Sequence, residues 1–419
     1  MPENSEKKRF FTKPLLVIFI TVLIDLIGFG IVIPVLPYYI EGFGATPLQL
    51  GLLVASYSVM QFIFSPVLGG MSDKRGRRPV LFFSLLGTSI GFLLVGLAGA
   101  LWMVFAGRIL DGITGGNIST AQAYIADVTT RKDRARGMGL IGAAFGLGFV
   151  LGPAIGGILS RYGTHVPFIF AACLALANAI GVYIYLPESL PKEKRAAHSS
   201  GSNRFLQIFD SLADARFRSL SILYFLIVTA FSIMTTSFAL YTQERFGYNA
   251  EQNGWLFAYI GVLAVLMQGG IFGRLAHAIG EAALLVIGSL ILAGSLFMVP
   301  YVGPQWGGLA GLLVGMAFFA VGNSLASPAA SSLASKVAGE HEQGKALGIM
   351  QSGASLARAV GPFIAGFLLN TAAGSVNDHS LQITFWTAAG IMFAAFVGAL
   401  FFARNAPHHH EPAHENAEA

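Results

Sequence analysis

Gly69-Gly70-Met71-Ser72-Asp73-Lys74-Arg75-Gly76-Arg77-Arg78 sets five charges between two long apolar stretches, residues 46–70 and 79–99. So short a connection cannot carry the chain away from the surface at which both stretches end. It reads as a turn between two membrane helices. Ten further apolar runs fit the same pattern, at 14–40, 101–126, 137–160, 165–186, 219–243, 253–275, 282–302, 306–331, 344–369 and 381–403. Each approaches the roughly 20 residues that a bilayer core requires. Hydrophobic residues make up 54% of the chain and charged residues 11%, a balance that excludes a soluble globular domain. The runs are unbroken and rich in Leu, Phe, Gly and Ala, so they predict helices rather than the alternating strands of a β-barrel. The fold class expected is all-α integral membrane, with twelve transmembrane helices.

The formal charge of +5 is explained by topology, not by a nucleic-acid partner. Lys7, Lys8, Arg9 and Lys13 precede span 1; Lys74 to Arg78 follow span 2; Arg131, Lys132, Arg134 and Arg136 follow span 4; six more basic residues between Lys192 and Arg218 follow span 6. On the other side only Arg161 and Arg245 stand in the connections. The positive-inside rule therefore predicts a multi-pass protein of the inner or plasma membrane with both termini cytoplasmic. Span 1 lacks a small-residue cleavage site and should persist as a helix. The lone cysteine, Cys173, reads as packing filler.

Residues 187–218 break the apolar pattern and divide the chain into residues 1–186 and 219–403, each with six spans, followed by a tail at 404–419 expected to be disordered. The halves resemble each other. Gly69, Asp73 and Gly76 fall against Gly273, His277 and Gly280 at an offset of 204, and Gly152-Pro153 to Gly157 falls against Gly361-Pro362 to Gly366 at an offset of 209. Parallel six-span repeats belong to a transporter plan with its cargo site near the midplane between the halves. The second hairpin has lost the charges of the first.

These residues resemble the major facilitator superfamily over essentially the whole chain. The Gly69–Arg78 hairpin matches its loop signature, and Gly107-Arg108-Ile109-Leu110-Asp111-Gly112 looks like a motif of proton-coupled members. Gly148 to Gly157 looks like the signature of drug-exporting antiporters. Asp25 to Gly30 with Ile33-Pro34-Val35-Leu36-Pro37 is similar to the 12-span drug/proton antiporters, nearest to the tetracycline/proton group. The resemblance implies two pseudo-symmetric six-helix bundles. It also implies that Asp73 meets the start of span 11 and that Arg77 bonds to Asp127, latching the cytoplasmic side; topology alone is the competing account of these basic residues. Tetracycline exporters carry membrane acids in spans 3 and 9, whereas here span 3 has none and span 9 has only Glu281 near its start. That departure weighs against a cationic or metal-chelated substrate.

Away from the span ends, four charges fall inside spans: Asp25, Arg108, Asp111 and Arg358. Each costs at least about 2.5–3.5 kcal/mol at a helix centre, so none should face lipid. Asp25 reads as a proton-binding carboxylate with Arg108 as the neighbour that sets its affinity, or else as a permanent ion pair that holds spans 1 and 4 together. Arg108 and Asp111 share a helical face, which Gly115, Ser119 and Gln122 continue; Asp111 is a second proton-coupling candidate, or else is simply neutralised by Arg108. Arg358 shares a face with Gln351 and needs an anionic partner: a substrate group, or Asp25 or Asp111 across the halves. Span 7 offers Phe238 and span 10 offers Asn323 as candidate contacts in an apolar, aromatic cavity. On span 5, Gly148, Gly152 and Gly156 leave a smooth strip for which span 8, through Gly261 and Gly269, is the expected partner; Pro153 should bend that span.

No nucleotide loop or metal spacing appears, so the chain does not read as an enzyme; no cofactor is expected, and an ion gradient supplies the energy. The leading reading is a monomeric antiporter that exports lipophilic small molecules while admitting protons. The alternative is an uptake symporter or exchanger for a sugar or an organic anion; sodium coupling and a transport-dead sensor complete the field.

Overall fold

The computed structural model describes residues 12–130, 133–195, 213–338, 343–370 and 376–405. Among them eleven helices are long and apolar enough to cross a membrane. They are α1 (Lys13–Glu41), α2 (Pro47–Arg75), α3 (Arg77–Gly96), α6 (Arg134–Ser160), α7 (Val166–Tyr185), α9 (Ala215–Phe246), α10 (Ala250–Leu266) continued by α11 (Phe272–Ile279), α12 (Glu281–Met298), α13 (Gly308–Val337), α14 (Gln343–Leu369) and α15 (Asp378–Asn405). The twelfth span corrects the expectation of one helix over 101–126: it is split into α4 (Leu101–Thr114) and α5 (Asn117–Val128) at Gly115-Gly116. The carbonyls freed by that break are met by side chains, as the bilayer interior demands. Ser84 Oγ donates to the Thr114 carbonyl, and Gln61 Nε2 donates to that of Gly115 at 3.0 Å. A second irregularity, a π-helical turn over Met267–Ile271, joins α10 to α11. A four-residue helix, α8 (Lys192–Arg195), lies in the segment after α7.

The repeat seen in the sequence has a backbone counterpart. Gly76 (φ 105°, ψ 157°) and Gly280 (φ 80°, ψ 154°) precede α3 and α12 in the same left-handed conformation. The helices α2 and α10 both begin with a capping box, Thr46 with Gln49 and Asn249 with Gln252. The buried apolar residues form two clusters in α1–α7 and a third, larger one in α9–α15.

The halves meet where α2 lies along α14 and α6 along α10. Both contacts are backbone to backbone through paired glycines. A Cβ on Gly51 would sit 2.9 Å from Gly366 Cα, and one on Gly157 would sit 3.0 Å from Gly254 Cα. These pairs exchange under the repeat, and both lie at the end far from the basic hairpin. Polar contacts close the same end. Tyr38 Oη donates to the Tyr248 carbonyl at 2.9 Å and accepts from Asn253 Nδ2, Gln243 Nε2 donates to Glu41 at 2.9 Å, and Arg161 pairs with Glu251. Toward the basic end, Gly139 and Gly142 of α6, Gly269 and Gly270 of the π turn, and Gly348 and Gly353 of α14 have no described atom within 4 Å of a Cβ. The backbone contacts through paired glycines thus lie at the far end.

Two expectations about packing change. The strip Gly148, Gly152, Gly156 does not face span 8; it seats α1, against Leu26, Gly30 and Ile31. Residues one position on, or the carbonyls, turn to α10: Gly157 meets Gly254, the Pro153 carbonyl approaches Gly254, and the Phe149 carbonyl approaches Gly261. Gly269 packs on nothing. A four-residue glycine repeat defines one helical face, and here α1 occupies it while α10 takes the neighbouring face. Cys173 is exposed on α7 and fills no core.

Candidate functional site

A cavity of about 390 Å³ lies between the halves at mid-depth, a size suited to one drug-like molecule. Helix α1 contributes Asp25, Phe29 and Ile33; α2 contributes Tyr57 and Gln61; α4 contributes Arg108. The opposite wall holds Tyr224 and Phe231 of α9, Asn323 of α13, and Gln351 and Arg358 of α14. Phe149 of α6 stands edge-on to Phe231, with ring centroids 5.9 Å apart, and Phe231 stacks on buried Phe319 at 5.6 Å. The walls are therefore apolar and aromatic with a few polar groups facing inward.

The charges are arranged differently on the two walls. On the first, Arg108 Nη1 donates to Asp111 Oδ2 at 2.7 Å, and the guanidinium lies over the Tyr57 ring, 4.2 Å from its centroid. Both Arg108 and Asp111 are buried, and Thr88 of α3 approaches the Asp111 carboxyl. Asp25 is half-buried on the cavity wall; its polar neighbour is Asn117 and its ionisable neighbour Asp111. The alternative of a permanent Asp25–Arg108 ion pair is not what the structure shows: Arg108 bonds Asp111, three residues on along the same helix, and Asn117, at the start of α5, is the polar neighbour of Asp25. Among the described residues Arg108 Nε and Asn117 Oδ1 are buried without a hydrogen-bond partner. An orphaned group of this kind costs about 1–3 kcal/mol.

On the second wall, Arg358 donates to Ser355 Oγ at 3.0 Å and pairs with no carboxylate among the described residues. The expected bridge to Asp25 or Asp111 is absent; its ionisable neighbours are Tyr224 and Tyr57. Gln351 and Asn323 line the cavity. Phe238 and Gln122 do not. Phe238 is fully buried in the core of the second half, against Phe257 and Tyr241, and Gln122 is half-buried on α5, beyond the span-4 break. Phe231, seven residues before Phe238 on the same aromatic stripe, reaches the cavity instead. The tyrosines Tyr57 and Tyr224 carry no sequence signal that sets them apart from packing aromatics. Glu281 is tied to Ser332 and Lys336 on α13, away from the cavity.

At the basic hairpin Arg77 is buried and donates to Asp73 at 2.6 Å, to Ser72 at 2.6 Å and to Asp127 at 3.1 Å. The residues leading into span 11, 339–342, lie outside those described, and with them the expected contact of Asp73. The segment after α7 joins this network. Glu188 accepts from the backbone N–H groups of Arg77 (2.8 Å) and Arg78 (3.2 Å), and Ser189 donates to Asp127 at 2.9 Å. Read from the sequence as plain linker, Pro187 to Arg195 is instead stapled to the hairpin.

A bilayer-spanning bundle with a central cavity and two halves related by repeat defines a membrane carrier. The sequence pattern of the Major Facilitator Superfamily matches residues 18–325 and again 271–418, and the chain belongs to that superfamily. It is 32% identical over 400 residues to the class H tetracycline resistance protein of Pasteurella multocida, covering 93% of this chain and 94% of that one. With multidrug resistance protein 2 of Bacillus subtilis it shares 29% identity over 87% of the chain and 90% of the relative. Among solved structures it superimposes on the human organic anion transporter MFSD10 with a TM-score of 0.69 at 27% identity, over 92% of this chain and 99% of that one.

Proposed function

We propose that this protein is a proton-coupled antiporter that exports lipophilic small molecules from the cytoplasm across the inner or plasma membrane. The observation that carries the reading is Asp25, a carboxyl on the wall of the cavity between the halves, beside the buried Arg108–Asp111 pair. In a low-dielectric cavity the ionised acid is costly, so Asp25 takes up or releases a proton according to what occupies the cavity and which side it faces. Access from the cytoplasm is at the basic end, since the positive-inside rule puts the basic loops and both termini there. The tetracycline and multidrug resistance relatives support export of drug-like cargo. Arg77, Asp73 and Asp127 form the latch that closes the cytoplasmic side in the opposite state, and the glycine face of Gly152 and Gly156, with Pro153, moves α1 and α6 as one unit. The carrier works as a monomer with no cofactor, on the proton gradient.

The test is transport of tetracycline by protein reconstituted in liposomes with an imposed pH gradient. Proton flux opposite to tetracycline is expected; flux in the same direction eliminates antiport. A second reading, symport or exchange of an organic anion, is favoured by one observation, the lack of a carboxylate partner for Arg358 among the described residues.

A further inference from the structure

We propose that Arg358 anchors an anion-binding subsite, and that the cavity accepts amphipathic molecules with an aromatic body and a single carboxylate or sulfonate. The inference rests on the reading of this cavity as the cargo site, but on neither direction of transport. An arginine at mid-depth in a membrane helix is costly and is ordinarily paired. The cavity's other arginine obeys that rule, because Asp111 neutralises Arg108 at 2.7 Å. Among the described residues Arg358 bonds only the Ser355 hydroxyl, and its ionisable neighbours are two phenols, Tyr224 and Tyr57. Its guanidinium therefore borders the cavity with hydrogen-bonding capacity to spare, in the planar form that matches a carboxylate or sulfonate. A cation placed there would meet uncompensated positive charge.

The rest of the cavity sets the body of the ligand and its charge number. Phe149 and Phe231 present aromatic surface between the two charged walls, and the volume of about 390 Å³ admits one drug-sized molecule. Asp25 is the one carboxylate among the lining residues and stands on the opposite half. A second negative group on the ligand would be driven toward that acid, so a monoanion fits and a dianion is disfavoured.

The experiment compares dansylglycine, an aromatic carboxylate, with dansylamide, the neutral compound of the same body. Binding of each is followed by dansyl fluorescence to the full chain in phosphatidylcholine nanodiscs, with empty nanodiscs subtracted. Dansylglycine should bind the wild type more tightly. Arg358→Ala should weaken dansylglycine about tenfold or more, the range of a charge-assisted hydrogen bond, while dansylamide shifts less than about twofold. Arg358→Lys should restore part of the loss. Equal binding of the two probes by the wild type, or equal weakening of both by Arg358→Ala, overturns the subsite and leaves the cargo cavity standing. Failure of both probes to bind overturns the cavity reading and the subsite with it. Where Arg358→Ala does not fold, Arg358→Gln carries the same comparison, since the ratio between the probes is insensitive to a general loss of packing.

Discussion

The turns at Gly76 and Gly280 have nearly the same backbone and opposite surroundings. Each glycine holds a left-handed conformation ahead of the third helix of its half. Around Gly76 stand Arg77, Asp73, Asp127 and Glu188 in one bonded network; around Gly280 a Cβ would meet nothing. The cavity repeats the contrast at mid-depth, with Asp25, Arg108 and Asp111 on the first half and Arg358 on the second. A repeat preserves the backbone because both copies must make the same helix-to-helix turn. Side chains are free to diverge, and here the buried ion pair beside the cavity lies in one copy while the other lines the cavity with Arg358.

The comparison is tested most severely at Asp25. Asp25→Asn should reduce gradient-driven transport in liposomes to background while downhill exchange persists, and retained uphill transport would remove the first half's claim to coupling. Next comes the hairpin pair. Arg77→Ala removes the cation that Asp73 and Asp127 share and should lower stability on the order of 3 kcal/mol, whereas exposed His277→Ala, at the position equivalent to Asp73, should stay within about 0.5 kcal/mol. Thermal unfolding in detergent reads the difference, and similar shifts would contradict a latch confined to one copy. The glycines separate backbone from surroundings. Gly280→Ala should cost roughly 1–3 kcal/mol from conformational strain alone, and Gly76→Ala more, because its Cβ also meets the Glu188 carboxylate. Equal melting shifts would mean that Glu188 yields freely. The smallest effect belongs to Glu188→Gln, which keeps the shape but weakens acceptance from the Arg77 and Arg78 amides by about 0.5–1 kcal/mol.

Reading the chain located the spans, the repeat and the buried charges because each has a local signature: an apolar run, a fixed offset, an ionisable residue where lipid penalises one. It placed Gln351, Asn323 and Arg358 on the cavity because polar side chains in apolar helices must turn inward. It misplaced Phe238 because an aromatic side chain suits a core and a cavity wall equally well. The break in span 4 escaped notice because Gly115-Gly116 resembles the packing glycines found throughout the chain, and its cost is hidden by Ser84 and Gln61, which come from other helices.

The sequence by itself determined that the chain crosses a membrane as twelve spans in two related halves, which charges lie at depth, and which surface carries the basic loops. Hydropathy and charge act residue by residue, and lipid enforces them without reference to partners. Only the tertiary structure decided that Arg108 belongs to Asp111 and not to Asp25, that Arg358 borders the cavity without a carboxylate partner among the described residues, and that the glycine face of span 5 seats span 1. The physical reason is that periodicity reveals which residues share a helical face. In a bilayer, where lipid and protein are both apolar, it does not reveal which helix stands opposite.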